Sequence, residues 1–266
     1  MQAEDRRVLA ALRSARSEIV RAARILRETF LAGRTCVLFG AGTSGRLAVI
    51  EAAELPPTFG TDPRRVRAVI AGGKTAVFRA REGAEDRVHE GDRAARRLAP
   101  GDLAIGVSAS SVTPFVRGAL SRARRRGART VLITASGAPG LEGAAEVVIR
   151  LGVGPEVLAG STRLKAGTAT KLALNQITTS AFASAGKVFG PWMVDLRPGS
   201  AKLRDRCVRI VAAATETTPR RARALLSQAH GKVKTAILIG RTKATASQAR
   251  RRLEETGGDL RKALES

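Results

Sequence analysis

Two hydroxyl-rich stretches of the sequence have the composition of phosphate-binding loops. "GAGTSG" at 40–45 follows the apolar run at 35–39, and "SASSVTP" at 108–114 follows the apolar run at 103–108. We expect each stretch to connect a strand to a helix, so that helix N-terminal N–H groups and serine or threonine hydroxyls face one anion. Serine and threonine also cap many helices, but two such loops at adjacent strand ends favour phosphate binding over capping alone.

The candidate phosphate-binding residues are the small and hydroxyl-bearing members of these two loops. They are Thr43, Ser44, Gly45, Ser108, Ser110, Ser111 and Thr113. The glycines at 40–45 would let the backbone turn tightly. Their spacing lacks the full dinucleotide-binding pattern, and no acidic residue stands at the end of the next predicted strand. The loops therefore favour a phosphate group over a nicotinamide cofactor.

Two glutamates could transfer protons near such a site. Glu54 lies ten residues after Ser44 on the same predicted helix, about three turns away. Its neighbours are alanine, leucine and two prolines, so we expect poor solvation and a raised pKa, which would suit proton transfer. The second candidate, Glu85, belongs to "EGAED" at 82–86, which is predicted to open a helix. Acids in a first helical turn also complement the helix dipole, so this cluster by itself leaves both interpretations open.

The elements that must position these residues follow an alternating pattern. Five β-branched runs are predicted strands, at 35–39, 65–70, 103–108, 130–134 and 146–151. Helical stretches separate them, which predicts an α/β fold with a doubly wound parallel five-stranded sheet and helices on both faces. Ligands of such sheets bind beyond the carboxyl ends of the strands, where both candidate loops fall.

Helical segments flank this sheet region on both sides. Apolar residues at three- and four-residue steps predict one helix over 5–31, and the pattern at 162–185 is also helical. Residues 201–266 are predicted to form a small helical C-terminal domain after a first domain at 1–200. Within the second domain, "TAILIG" at 235–240 has the composition of a strand, but we predict a helix because its neighbours are helical.

Composition argues against several classes of protein. The formal net charge is +24, but the basic residues are spread along the chain, aromatic residues are 3% and tyrosine is absent. A specific nucleic-acid partner is not expected, since it would require a localised basic patch or aromatic stacking platforms. No apolar run approaches the roughly 18 residues of a membrane span, and no signal sequence is evident. Cys36 and Cys207 match no metal or redox spacing, so we expect no metal site and a cytoplasmic protein.

Four stretches occur in the order seen in one known family. They are "FGAGTSGRL…EAAELPPTFG", "IAGG…EGAED", "GSTRLKAGTATKLALN" and "SAGKVFGPWMVDL". Together they resemble the N-acetylmuramic acid 6-phosphate etherases, members of the sugar isomerase (SIS) superfamily, which also includes the glucokinase regulatory protein. The resemblance extends from near residue 5 to the C-terminus.

This resemblance implies a cofactor-independent lyase that acts as a homodimer. Its substrate would be a small sugar phosphate, N-acetylmuramic acid 6-phosphate, from which D-lactate is removed to leave N-acetylglucosamine 6-phosphate in cell-wall amino-sugar recycling. The matching positions make Glu54 and Glu85 the catalytic pair and add Lys165 to the residues that bind the sugar phosphate. Cleavage of this ether needs removal of the C2 proton, protonation of the ether oxygen and addition of water, which two carboxyl groups can perform.

The sequence departs from the family pattern at three places. In the second loop, Ser111-Val112 replaces the Gly-Arg of the usual "SASGRTP". "PGSAKL" at 198–203 lacks an asparagine that usually stands before the lysine, and the family begins with a further N-terminal segment. These departures keep open a non-catalytic, sugar-phosphate-binding regulator of the glucokinase-regulatory-protein type. The sequence also leaves open an aldose–ketose isomerase and a nucleic-acid-binding protein, although neither His89 nor His230 stands in a site motif that an isomerase would use.

Overall fold

The computed structural model describes residues 1–137, 140–196 and 198–266. Its main sheet has five strands in the order β2-β1-β3-β4-β5, and all neighbouring strands are parallel. The strands are β1 (Cys36–Gly40), β2 (Val66–Ile70), β3 (Leu103–Val107), β4 (Arg129–Thr134) and β5 (Val147–Arg150). The five predicted strands and the α/β fold class are confirmed.

Six helices precede residue 183 in the described chain. They are α1 (Gln2–Ser14), α2 (Arg16–Leu31), α3 (Gly42–Phe59), α4 (Val88–Ala95), α5 (Pro114–Arg125) and α6 (Lys165–Phe182). Every residue of the central strands β1 and β3 is buried, as expected where helices cover a parallel sheet. At Gly106 in β3, a Cβ would lie 2.7 Å from Val116 Cγ1. Glycine at this position therefore allows α5 to pack directly against the strand.

The N-terminal helical segment is two helices, whereas the single helix predicted over 5–31 was wrong. At Ala15, ψ is 12°, far from the value of a helix, so the chain changes direction between α1 and α2. Leu12, Ala15 and Ile19 are all buried, which means that the bend keeps an apolar side of each helix in the core. Neither proline nor glycine marks the bend, and the helical periodicity of the sequence continues through it.

The described chain divides into two compact units. Unit 1 comprises residues 1–54 and 62–181, and unit 2 comprises residues 55–61 and 182–266. The further elements are a hairpin of β6 (Val188–Phe189) and β7 (Trp192–Met193), followed by α7 (Ala201–Thr215), α8 (Pro219–Gln228), α9 (Val233–Thr242), α10 (Ala246–Glu255) and α11 (Leu260–Glu265). Unit 2 thus begins before residue 201, where sequence analysis started the second domain, because Val194 and Leu196 are buried in the same core as these helices.

Helix α9 explains the strand-like composition of "TAILIG". All residues from Val233 to Ile239 are buried, and α7, α8, α10 and α11 all contact this helix. A helix that is buried on every side has apolar residues all round rather than on one stripe. The prediction of a helix at 235–240 is confirmed.

Among residues 1–137, 140–196 and 198–266, no helix has the length and hydropathy that a bilayer crossing requires. In the same ranges, no group of three or more histidine, cysteine or acidic residues is arranged to hold a metal ion. Cys36 and Cys207 are free and buried. Burial raises the pKa of both thiols above the ordinary value, so neither is placed to act as a reactive thiolate.

Candidate functional site

The carboxyl ends of β1 and β3 bring the two candidate loops together. Gly40 at the end of β1 pairs in register with Val107 at the end of β3. Loop 1 (40–45) therefore leaves the sheet beside loop 2 (108–114). Each loop leads directly into a helix, α3 or α5, so two helix N-termini point from the same edge of the sheet.

Loop 1 is tightly packed against the end of the sheet. Gly42 has a left-handed φ of +51°, which glycine adopts without steric cost. A Cβ on Gly45 would lie 2.5 Å from Ile70 Cγ1 and 2.8 Å from Gly40 O. Glycine at 45 is thus required by close packing, and Thr43 and Ser44 occupy the first turn of α3.

Loop 2 is ordered by a hydroxyl pair. Ser108 Oγ lies 2.7 Å from Thr113 Oγ1, and Thr113 N donates to Ser108 Oγ at 3.4 Å. The side chain of Thr113, the N-cap of α5, makes no capping hydrogen bond to that helix. Ser110 is exposed between the two paired residues. The first turn of α5 and the Ser110 hydroxyl can therefore both receive an anion.

Ser111 belongs to loop 2 but directs its side chain elsewhere. It is fully buried and has a left-handed φ of +63°. Its Oγ donates to Glu142 Oε1 at 3.3 Å and accepts from Leu141 N at 3.4 Å. The structure therefore does not bring this hydroxyl to the other candidate residues, because it holds the segment that follows β4. The left-handed backbone also accounts for the glycine that the resembling family has at this position.

Lys165 lies at the start of α6 and is already engaged within the chain. Its side chain is buried, and Nζ lies 2.5 Å from Glu4 Oε2 and 2.6 Å from Pro155 O. The hydrogen bond from Lys165 lowers the pKa of the Glu4 carboxyl. A Cβ on Gly167 would lie 3.7 Å from Thr43 Cγ2, so the first turn of α6 packs beside loop 1. A phosphate that binds Lys165 would have to compete with Glu4.

Glu54 is exposed on α3, and the poor solvation expected for it was wrong. The buried carboxylate is Glu51, one turn earlier, whose side chain accepts from Thr178 Oγ1 at 2.5 Å and from Asn175 Nδ2 at 2.7 Å. Burial raises the pKa of Glu51, although these hydrogen bonds act in the opposite direction. Sequence analysis missed Glu51. The sequence signal for it is the spacing of Ala48, Ala52, Leu55 and Phe59 at three- and four-residue steps. These residues are buried, and position 51 lies on the same side of the helix.

Glu85 is exposed in the turn that precedes α4. Sequence analysis expected the segment 82–86 to open a helix, but the segment comes before α4. The acidic residue in the first turn of that helix is Glu90. The Glu85 carbonyl accepts from Phe115 N at 2.9 Å. This bond fixes the backbone of Glu85 to the first turn of α5, directly after loop 2.

A small cavity joins Glu85 to loop 1. It has a volume of about 160 Å³, and its lining includes Gly42, Arg46, Glu82 and Glu85. Arg46 Nε donates to Val77 O at 2.8 Å, which ties α3 to the segment before the acid cluster. Glu54 is not among the described residues that line this cavity, because α3 carries it about 15 Å beyond Ser44. One chain thus assembles the two loops and Glu85, but places Glu54 apart from them.

Comparison with known proteins agrees with this arrangement of loops and helices. Residues 18–124 match a family model described as the glucokinase regulatory protein N-terminal SIS domain. A protein of Picosynechococcus sp. named N-acetylmuramic acid 6-phosphate etherase is 43% identical over 265 residues, which cover 99% of this chain and 88% of that protein. A protein of Salinibacter ruber with the same name is 44% identical over 265 residues, which cover 98% of this chain and 85% of that protein.

A solved structure supports the fold independently of these sequences. A phosphoheptose isomerase from Francisella tularensis superposes with a TM-score of 0.53 at 14% identity, covering 68% of this chain and 94% of the isomerase. At this identity the likeness concerns the fold alone. It confirms the sugar-isomerase type of sheet that was predicted.

Proposed function

Because the chain belongs to the N-acetylmuramic acid 6-phosphate etherase family, we propose that it is a lyase that cleaves the D-lactyl ether of N-acetylmuramic acid 6-phosphate. The products are N-acetylglucosamine 6-phosphate and D-lactate. The observation in this chain that supports the proposal best is the pairing of Gly40 with Val107. It places the N-termini of α3 and α5 side by side, and Glu85 lies next to them.

The phosphate of the substrate would bind where loops 1 and 2 meet. Helix N-termini attract anions through their free N–H groups and the helix dipole. Thr43, Ser44 and Ser110 add hydroxyl donors, while the Ser108–Thr113 pair holds loop 2 in shape. The phosphate thereby fixes the sugar with its reacting carbons toward the cavity that Glu85 lines.

Two carboxyl groups are sufficient for the chemical steps. One takes the proton from C2 next to the open-chain aldehyde, and a protonated carboxyl group gives a proton to the ether oxygen as the C3–O bond breaks. The electron pair of the C2–H bond forms the C2–C3 double bond, and lactate leaves with the ether oxygen. Water then adds to C3 and a proton returns to C2. Glu85 and Glu54 are the residues that we assign to these transfers.

Glu54 would reach the site in a homodimer. It shares one face of α3 with Ile50, one turn away, and Ile50 is 55% exposed. Phe78 (88% exposed), Val112 and Leu158 are further large apolar side chains on the surface of unit 1. Large exposed apolar side chains can contribute to protein–protein contacts. A second copy that covers Ile50 would also reduce the exposure of Glu54, which its own chain leaves exposed.

We place this reaction in the cytoplasm, in the recycling of amino sugars from the cell wall. A phosphorylated sugar is an intracellular metabolite, and free buried thiols such as Cys36 and Cys207 are usual in a reducing compartment. A specific nucleic-acid partner is not part of the proposal, because the basic residues are spread along the whole chain and some of them form surface ion pairs, as Arg64 does with Asp62 and Arg122 with Asp92.

The decisive experiment is to incubate the chain with N-acetylmuramic acid 6-phosphate and to assay D-lactate. We expect stoichiometric lactate and, in D₂O, deuterium at C2 of the sugar product. N-acetylglucosamine 6-phosphate is the control ligand, since it has the phosphate but no lactyl group. Binding of both sugar phosphates without any release of lactate would contradict lyase activity and favour a sugar-phosphate-binding regulator. The first change to test would then be Ser111-Val112 to the family's Gly-Arg in loop 2.

A further inference from the structure

Unit 2 contains a cavity of about 630 Å³ that the proposed reaction does not use. Lys232, Lys234 and Thr235, at the start of α9, line it together with Asp195 and Arg250. Small-molecule sites commonly have volumes of about 300–1,000 Å³. All described residues of the lining belong to unit 2, and none of them belongs to loop 1 or loop 2.

More of the ionisable groups in the lining are basic than acidic. They are Lys232, Lys234 and Arg250 against Asp195 and Glu254, with His230 as a further ionisable group. The Asp195 carboxylate is shared, since its Oδ2 lies 2.6 Å from Lys234 Nζ and 2.8 Å from Lys187 Nζ. Among the described residues, neither Lys232 nor Arg250 has a carboxylate within ion-pair distance. Glu254 has no ion-pair partner either among the described residues, so the lining carries one formal positive charge in excess.

Lys234 sits at the wall of the cavity with little access to solvent. Its side chain is 10% exposed, and Nζ donates to Asp195 Oδ2 and to Gly258 O, at 2.6 Å each. An ammonium group has three donors, so one is left for a ligand. Burial lowers the pKa of Lys234, although Asp195 opposes this effect. A bound anion would stabilise the charged form, because attraction between charges strengthens where water is excluded.

Thr235 supplies an unpaired hydroxyl in the same wall. Its residue is 2% exposed, yet its Oγ1 has no hydrogen-bond partner in the described ranges. Thr242, in the same helix, shows the usual alternative, since its hydroxyl donates to Leu238 O at 2.7 Å. Thr235 also lies in the first turn of α9, where the N-cap residue Lys232 makes no side-chain capping bond. Free N–H groups and a free hydroxyl thus face the same space.

We propose that this cavity binds the phosphate group of a small phosphorylated metabolite. A phosphate has enough oxygens to accept from the α9 N-terminus, the Thr235 hydroxyl and the Lys234 ammonium at once, whereas a planar carboxylate has only two. Arg250 and Lys232 are placed to attract the dianion from solvent. The volume exceeds that of phosphate alone and leaves room for a sugar-sized remainder.

The test uses inorganic phosphate as the probe and Trp192 as a local reporter. Trp192 is the only tryptophan of the chain and lies three residues before Asp195. We expect phosphate to change its fluorescence, and Thr235→Val to weaken that titration roughly tenfold, the effect of losing a hydrogen bond to a charged group. Thr242→Val is the matched control, since it makes the same substitution in the same helix outside the cavity, and it should titrate like wild type.

Calorimetry separates this site from the one formed by loops 1 and 2. We expect two phosphates per chain, one weakened by Ser110→Ala and the other by Thr235→Val. Arg250→Gln provides a second probe at a half-buried position in the cavity lining, in case Thr235→Val does not fold by circular dichroism. A single phosphate that responds only to Ser110→Ala would overturn the proposal, as would Thr235→Val and Arg250→Gln both binding like Thr242→Val.

Discussion

Two glutamates one turn apart on α3 lie in different environments, Glu51 on the buried side of the helix (the inner face) and Glu54 on the exposed side (the outer face). Glu51 on the inner face is 6% exposed and accepts hydrogen bonds from Thr178 and Asn175 on α6. Glu54, one turn further along, is exposed. The inner glutamate joins two helices, whereas the outer one is free to meet a substrate or a second copy. The carboxyl group that we propose as catalytic is therefore the exposed one of the two.

The largest expected difference between the two faces is in turnover. Glu54→Gln should reduce kcat by about 100-fold or more, the usual effect of losing a general acid or base, because glutamine keeps the shape but cannot transfer the proton. Lactate release measures this effect, and calorimetry with N-acetylglucosamine 6-phosphate should show unchanged binding. Near-normal lactate release by Glu54→Gln would mean that the outer face is not catalytic.

The free energy of unfolding should depend on the buried Glu51 more than on the exposed Glu54. Glu51→Ala removes the acceptor of two hydrogen bonds and should lower the free energy of unfolding by about 1–3 kcal/mol. Urea denaturation measures it, and Glu54→Ala, an exposed site on the same helix, is the control with an expected change within about 0.5 kcal/mol. Equal losses for the two alanine variants would remove the distinction between the faces.

Dimer formation should depend on the exposed side of α3. Ile50→Asp places a charge where a second copy is proposed to pack, and we expect at least a roughly tenfold weaker dimer because an unpaired charge is costly to bury. Sedimentation velocity over a concentration series measures the change. Val20→Asp, at an exposed apolar site on α2, is the control. A monomeric wild type would show that Glu54 reaches the site by another route.

The smallest expected effect is the dependence of stability on pH. Burial raises the pKa of Glu51 above its ordinary value of 4.5, so the folded chain holds this proton more tightly than the unfolded chain. Its contribution to stability is fully present below pH 4.5 and is lost as the pH rises from there through the raised pKa, by at most about 1.4 kcal/mol per pH unit. Urea denaturation at several pH values should show this decline in wild type and in Glu54→Gln, but not in Glu51→Gln.

The sheet was predictable because its signals are local. The apolar runs that became β1 and β3 stand directly before loops 1 and 2, and parallel pairing then fixes which loops are neighbours. The bend at Ala15 has no such signal, because its residues fit a continuous helix. Helical periodicity in α3 predicts that position 51 faces inward, whereas the apolar neighbours of Glu54 in the sequence wrongly indicated that Glu54 is the poorly solvated one.

Residues whose partners are distant in sequence could not be placed beforehand. Lys165 pairs with Glu4 across 161 positions, and no local pattern predicts that contact. Ser111 was assigned to phosphate binding by its hydroxyl, but its left-handed φ turns the side chain toward Glu142. In both cases the residue type is visible in the sequence, but the direction of the side chain is not, because that direction depends on the assembled fold.

The course of α3 affects how the chain can fold while it is being synthesised. The helix starts at loop 1, and its last residues, Leu55 to Phe59, belong to unit 2, where the Phe59 ring stacks on Phe182 at 5.0 Å between centroids. Segments emerge from the ribosome in order from the N-terminus, so 55–61 appears long before 182–266. Leu55 and Phe59 therefore remain without their native partners until residues 182–266 have been synthesised.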